Sequence, residues 1–311
     1  MAFYRSFRAP SVSSRSPIVE RITEEPIPTK VAQSTVTSIY QAIIVGYWRN
    51  VSILWCKNYM NYSLHITIDS LGGEIHYNCR VDIKPWHFWS KKGYKSFVVD
   101  GQHVEVYWDL RSAKFSGGSP EPSSDYYVAL VSDEEVVLLL GDYKKKAYKR
   151  TKAKPPLGEA ILLMKKENVF AKKSFSTKAS FDERGKESDI VVESSTCGQN
   201  KDPEMWVSVD GIVLIHVRNL QWKFRGNQTV MVNKQPVQVL WDVHDWLFSE
   251  NGSSSGGGGV FIFKPGSIEQ ESEREGSGLD GCESDDSSGY YSTRSNANFD
   301  FCLVLCAYKL E

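Results

Sequence analysis

The chain has 311 residues, 41% hydrophobic and 12% aromatic, with a formal net charge of -1, so it is long enough to bury cores of ordinary size and too apolar to be disordered throughout. The near-zero total conceals a basic middle and an acidic last quarter, so the global charge predicts no partner. No stretch approaches the roughly 18 apolar residues of a membrane-spanning helix, and six scattered cysteines show neither metal-ligand spacing nor a dense disulfide framework, which favours free thiols.

Residues 1–34 are rich in Arg and Ser, with no acidic residue before Glu20 and no apolar core of a secretory signal. They read as a disordered tail on a cytoplasmic protein, with organellar targeting or a nuclear location as alternatives. The sequons at Asn50, Asn61, Asn227 and Asn251 then carry no glycan.

From Thr37 onward, short runs of β-branched and aromatic residues alternate with polar ones between Gly, Asp, Asn and Ser clusters, and no long amphipathic helix stands out. The expected class is all-β. Within it, Trp89 to Phe115 matches Trp222 to Phe248 at a constant offset of 133, with nine of 27 positions identical, Gly93/Gly226, Trp108/Trp241 and Asp109/Asp242 among them. The match points to a duplicated β unit. It predicts tandem antiparallel sandwich or barrel-like units over 35–150 and 151–311, with about eight strands each.

Several hairpins follow from turn chemistry. Asp100-Gly101 and Asn233-Lys234 occupy equivalent two-residue turns, and Asp210-Gly211 makes another. Opening hairpins are expected at Thr37 to Val45 with Val51 to Cys56, and at Val169 to Phe181 with Ser188 to Glu193. Tyr126 to Val131 should return as Val136 to Leu140, and Val260 to Phe263 as Phe299 to Tyr308. Residues 265–298 thereby become an acidic, Ser/Gly-rich disordered insertion inside a hairpin. Trp108 and Trp241 should face the core, since they fall in phase with Val104, Val106, Val237 and Val239.

The strings Trp55-Cys56-Lys57-Asn58, Lys84-Pro85-Trp86, Trp108-Asp109-Leu110, Leu220 to Asn227 and Trp241 to Phe248 together resemble a plant family known as domain of unknown function 868. The likeness runs from about Gln33 to Phe263. It implies a plant origin and supplies no activity, cofactor or catalytic residue to carry over.

Standard nucleophile, phosphate-loop, dinucleotide and zinc-protease strings are missing, and the six histidines occur singly. We assign no catalytic residue, no metal ligand and no cofactor. Asp109 and Asp242 either form a carboxylate pair between the repeats, the basis of an alternative enzymatic reading, or serve their own repeat as turn caps and ion-pair partners. Rings interleave with cations at Trp86, Trp89, Trp222, Lys223 and Arg225, which suits stacking on a ligand, although sandwich cores also need large aromatics. From Lys144 to Lys178 there are twelve Lys or Arg and two Glu. The densest part, Lys144, Lys145, Lys146, Lys149, Arg150, Lys152 and Lys154 within a connector over 144–158, offers a surface for a polyanion such as anionic lipid or nucleic acid, or for a protein partner. Its plainer reading is a solvated linker leading into a lysine-guarded edge strand. Ser284, Ser287 and Ser288 stand beside acids as phosphorylation candidates, and their modification would deepen the charge that could draw the acidic loop toward the basic segment. The expected function is a non-catalytic binding or scaffold protein using this basic and aromatic surface.

Overall fold

A computed structural model of the chain describes residues 34–58, 61–70, 76–83, 88–116, 119–156, 158–171, 173–181, 186–195, 202–248, 258–266 and 301–309. The expected N-terminal tail, the acidic insertion with Ser284, Ser287 and Ser288, and Trp86 lie outside them. In chain order the strands are β1 (Ser34–Ile44), β2 (Tyr47–Asn58), β3 (Asn61–Asp69), β4 (His76–Ile83), β5 (Lys92–Val99), β6 (Gln102–Asp109), β7 (Lys114–Phe115), β8 (Pro122–Ser124), β9 (Tyr127–Ser132) and β10 (Glu135–Leu140). Helix α1 (Lys144–Thr151) follows. Then come β11 (Ile161–Phe170), β12 (Ser174–Ser180), β13 (Glu187–Ser195), β14 (Glu204–Val209), β15 (Ile212–Val217), β16 (Arg225–Val232) and β17 (Gln235–Asp242), the short α2 (His244–Phe248), β18 (Gly258–Pro265) and β19 (Cys302–Tyr308). The protein is all-β.

Local turn chemistry placed most hairpins correctly. Asp100, Asp133, Glu134, Asp210, Asn233 and Lys234 all take positive φ at their turns, the geometry that two-residue hairpin loops demand. β18 pairs antiparallel with β19, so residues 267–300 do join two partners of one hairpin. The expected strand over Val169 to Phe181 is corrected: it is the end of β11 followed by β12, and β12 rather than β11 pairs with β13.

Three main sheets result, ordered β16-β17-β18-β19-β11-β1-β2-β3-β4, β10-β9-β6-β5 and β12-β13-β14-β15. In the nine-stranded sheet β11 lies between β1, antiparallel to it, and β19, parallel to it. It is therefore a central strand and not the lysine-guarded edge that its sequence suggested. Cross-strand partners share a face, so the pairings Val36 with Glu167 and Glu167 with Leu305 place the two cores on the same side of this sheet. Both four-stranded sheets accordingly cover one face, side by side. The first half buries Val36, Trp55, Ile66, Val106 and Trp108 against one another, and the second buries Phe175, Ile190, Val239, Phe261 and Leu305. Fully burying each large apolar side chain contributes about 1.5–3 kcal/mol toward the cost of ordering the chain. Among the described residues, Cys79, Cys302 and Cys306 are free thiols.

Equivalent positions at the offset of 133 make equivalent bonds. The Trp108 indole donates to the Ser90 carbonyl at 2.9 Å, and Trp241 to the Lys223 carbonyl at 3.2 Å. The Leu110 amide donates to Lys91 and the Val243 amide to Phe224, at 2.7 and 2.9 Å. Beneath each indole is a glycine, Gly93 or Gly226, where a Cβ would collide with the ring.

Candidate functional site

Alanine, lysine and arginine are good helix formers, yet eight residues are too few to hold a helix in water. α1 is held by packing: Ala147 is buried with Tyr127, Ala129, Val131 and Val136, against Tyr107, Tyr143 and Tyr148, on the outer face of the β10-β9-β6-β5 sheet. Its start is fixed by the Tyr143 amide bonding the Tyr126 carbonyl at 3.0 Å, and by the Tyr143 hydroxyl donating to Asp125 at 3.1 Å. Gly141, at φ 87°, makes the preceding bend where any Cβ would strike the Tyr126 carbonyl. The end is a left-handed Lys152, φ 57°, whose amide bonds the Tyr148 carbonyl. Beyond it, main-chain bonds of Lys154 to Glu134 and Val136 run alongside the β10 edge. The expected linker is thus an ordered helix over 144–151.

This geometry aims the cations outward. Lys144, Lys145, Lys146, Lys149, Arg150, Lys152 and Lys154 are all exposed. With Ala147 against the sheet, Lys145, Lys149 and Lys152 form the ridge farthest from it, by the 3.6-residue period. Lys146 stacks over the Tyr143 ring at 3.4 Å. None of the seven forms an ion pair with a described carboxylate, whereas Arg49, Lys92, Arg111, Lys114, Lys165, Lys178 and Arg225 each do. Three of the lysines stand in the first turn, where no acidic residue and no side-chain cap answers the positive end of the helix dipole. The arrangement is a convex row of positive charge, uncompensated among the described residues, with the exposed Tyr94, stacked on Tyr107, on the same sheet face.

The aromatic and cationic residues named with it sit elsewhere. Trp222 is 83% exposed, with Lys223 and Arg225 exposed beside it at the start of β16. The Arg225 guanidinium bonds the Asp242 carboxylate at 2.7 Å and lies 5.6 Å from the Phe224 ring. Of these, Arg225 and Asp242 border a shallow groove of about 380 Å³ whose apolar lining includes Leu240, Val260 and Ile262. Trp89 belongs to a short 3₁₀ turn, Phe88–Lys91, and its side chain lies outside the described residues.

Asp109 and Asp242 are not brought together. They stand on different sheets, and each is bound by partners from its own half of the chain. Asp109 accepts two bonds from the Arg111 guanidinium, at 2.9 and 2.8 Å, while Lys92, equivalent to Arg225, lies 3.7 Å away. The amides of Arg111 and His244, again equivalent, cap the two carboxylates at 3.3 Å each. Burial alone would raise the Asp109 carboxyl, but the bonds from Arg111 outweigh it and hold the group below the usual carboxylate range. A carboxylate so held is a poor proton donor.

Sequence reasoning missed a largely buried charged cluster. Lys165, on β11 at the seam of the two halves, donates to Glu167 at 2.9 Å and reaches Glu121 at 3.3 Å and the Lys178 carbonyl at 3.5 Å. The Thr177 hydroxyl donates to Glu167 at 2.6 Å. Burial would lower the lysine, but Glu121 and Glu167 together raise it above its ordinary value, so it stays charged and is neither base nor nucleophile at neutral pH. Nearby Tyr40 is pushed up to about 12, first by burial and then by Glu121. The cluster is a polar joint between the halves. Its only signal in the sequence was a Lys-Lys-Glu run inside an otherwise apolar strand.

Fold and surface together define an all-β protein with two four-stranded sheets beside a shared nine-stranded one, carrying one basic helix. The chain belongs to the plant protein family of unknown function DUF868, whose model matches residues 31–309. The match extends past Phe263 and takes in both strands that flank the acidic insertion. No curated protein and no solved structure matches the chain. No helix of the described residues is long and apolar enough to cross a membrane.

Proposed function

We propose that this plant protein is a non-catalytic binding module whose contact surface is α1, and that its ligand is a polyanion presenting several phosphates. The carrying observation is the row of seven exposed cations without a carboxylate partner among the described residues, five on a helix ordered by its own buried face and two, Lys152 and Lys154, directly after it. A convex ridge suits an extended surface better than a small anion, which needs a concave site. Lys145, Lys149 and Lys152 would meet the phosphates first, with Arg150 and the Tyr94 ring at the flank. A cytoplasmic or nuclear location suits such a ligand.

The test uses the full chain with phosphatidylserine vesicles, phosphatidylcholine vesicles and a single-stranded oligonucleotide. Binding to an anionic target should fall steeply between ~50 and ~200 mM salt, with a log–log slope of about 0.7–0.9 per phosphate contact. Replacing Lys145, Lys149 and Lys152 together by Glu should weaken binding at least tenfold, since all three are solvent-facing and the fold should persist. Salt-independent binding, equal flotation with either vesicle and no oligonucleotide retention, or indifference to the triple substitution would remove the reading.

A further inference from the structure

The two halves guard their open sides differently. Among the described residues the sheets end at β4, β5 and β10 in the first half and at β12, β15 and β16 in the second; β10 is partly covered by the main chain of Lys154, and β12 carries the charge of Lys178. In the first half, the Lys95 ammonium on β5 donates to the Arg80 carbonyl on β4 at 2.7 Å. This puts charge on one edge and occupies part of the other, both of which discourage edge-to-edge pairing. The equivalent position in the second half is Gln228, which is exposed and has no side-chain bond to any described residue. From Gly226 to Val232, β16 contains no charge and no proline, keeps unbroken register with β17 and exposes Met231 to 53%. Its neighbour β15 is apolar too, with Ile212 65% exposed, but its register with β14 shifts, and such a bulge turns an edge away from pairing. Among the described edges, β16 alone is long, regular and uncharged over seven residues.

The groups that β16 offers follow from its turn. Asn233 and Lys234, at φ 49° and 68°, form a two-residue loop, so Val232 and Gln235 exchange both main-chain bonds, and alternate residues back along the strand repeat this. Val232, Val230, Gln228 and Gly226 therefore bond β17. The N–H and C=O of Met231, Thr229, Asn227 and Arg225 point to the free side. A row of this kind is satisfied by another extended backbone.

The geometry points to a second copy of this chain as that partner. Two β16 strands pair antiparallel about a twofold axis at Thr229, setting Asn227 opposite the partner's Met231 and Gly226 opposite the partner's Val232. Thr229 then faces the partner's Thr229, a favourable cross-strand pair, and no like charges stand directly opposite. This register keeps all seven residues from Gly226 to Val232 in the ladder, while centring on Asn227 would keep only five. Centring on Gln228 would aim bonds already spent on β17. The contact is self-complementary and closes as a dimer. One strand ladder buries less than the ~800 Å² per partner of a stable interface, so association depends on concentration.

Sedimentation velocity of the full chain from ~2 to ~200 µM should show a shift from monomer to dimer, the range expected for so small an interface. Thr229→Lys sets two ammonium groups opposite each other and should abolish the shift. Thr229→Pro removes a ladder N–H and should do the same. Ser96→Lys, the matching substitution on the guarded β5 edge, should leave it intact. Thr229 is exposed, so the lysine variant should fold, with circular dichroism as the check and Met231→Lys as a second lysine variant on the same edge. A monomer at every concentration overturns the proposal. So does a dimer that survives Thr229→Lys, or one lost equally on Ser96→Lys.

Discussion

Trp108 and Trp241 occupy equivalent strands, each over a glycine and each donating its indole N–H to the carbonyl 18 residues before it. Yet Trp108 is 6% exposed and lies within its core, while Trp241 is only partly buried against its own. The same contrast separates Asp109, whose side chain is 10% exposed, from Asp242, at 42%. Elsewhere the halves diverge outright. The first carries α1 on its outer face and a lysine across its edge strands, and the second has Gln228 in the lysine's place. Their sheets are also used in opposite ways: β1 to β4 of the first half join the shared sheet, as do β16 to β19 of the second. Contacts kept in both halves build the hairpin, and those present in only one are where the two proposed surfaces lie.

The comparison breaks most readily at the seam. Replacing Lys165 with Met leaves Glu121 and Glu167 without their cation in a buried setting, and unfolding in urea should show a loss of about 3–5 kcal/mol. A loss below ~1 kcal/mol would mean that the halves are not held by this joint.

The glycines test the two Trp environments. Gly93→Ala forces a methyl group into the enclosed Trp108 ring and should cost about 1–3 kcal/mol, as overpacked cores do. Gly226→Ala should cost less, because the partly exposed Trp241 can tilt outward at the expense of its bond to Lys223. Equal costs would show that exposure does not set the tolerance.

The smallest effect concerns the two carboxylates. Asp109→Asn should lose about 1–2 kcal/mol at pH 7, the scale of hydrogen bonds to a charged group, and Asp242→Asn within ~0.5 kcal/mol as an exposed pair. Because the folded carboxyl of Asp109 lies below its unfolded value near 3.8, its contribution is fully present above that value and is lost as pH falls through the lower, folded one. The gap between wild type and Asp109→Asn should therefore be flat above ~pH 5 and close in stronger acid. A gap that stays constant into acid would mean the ion pair with Arg111 contributes nothing.

Legibility followed the range of the interactions involved. Asp100-Gly101, Asp210-Gly211 and Asn233-Lys234 announce their turns because a few adjacent residues decide a left-handed backbone. The pairing of β18 with β19 across the acidic insertion was legible from the parallel with Tyr126 to Leu140. β11 was not, since its Lys165, Lys166 and Glu167 break the apolar alternation of a central strand, and only partners from β12 and the β7–β8 region make that burial tolerable. α1 was hidden because seven of its residues show little apolar periodicity and the surface that stabilises Ala147 lies on β9 and β10.

The sequence alone determined the all-β class, the matching hairpins with their inward Trp, the turn positions and the concentration of positive charge at 144–154, because each depends on neighbours within a few residues. Only the tertiary structure decided that the halves share one sheet, that Asp109 and Asp242 are separate, that most of the basic run is a helix whose cations meet no described carboxylate, and that no described strand covers the outer edge of β16. Those outcomes depend on which strands lie side by side, and pairing between strands distant in the chain is set by packing that no local pattern records.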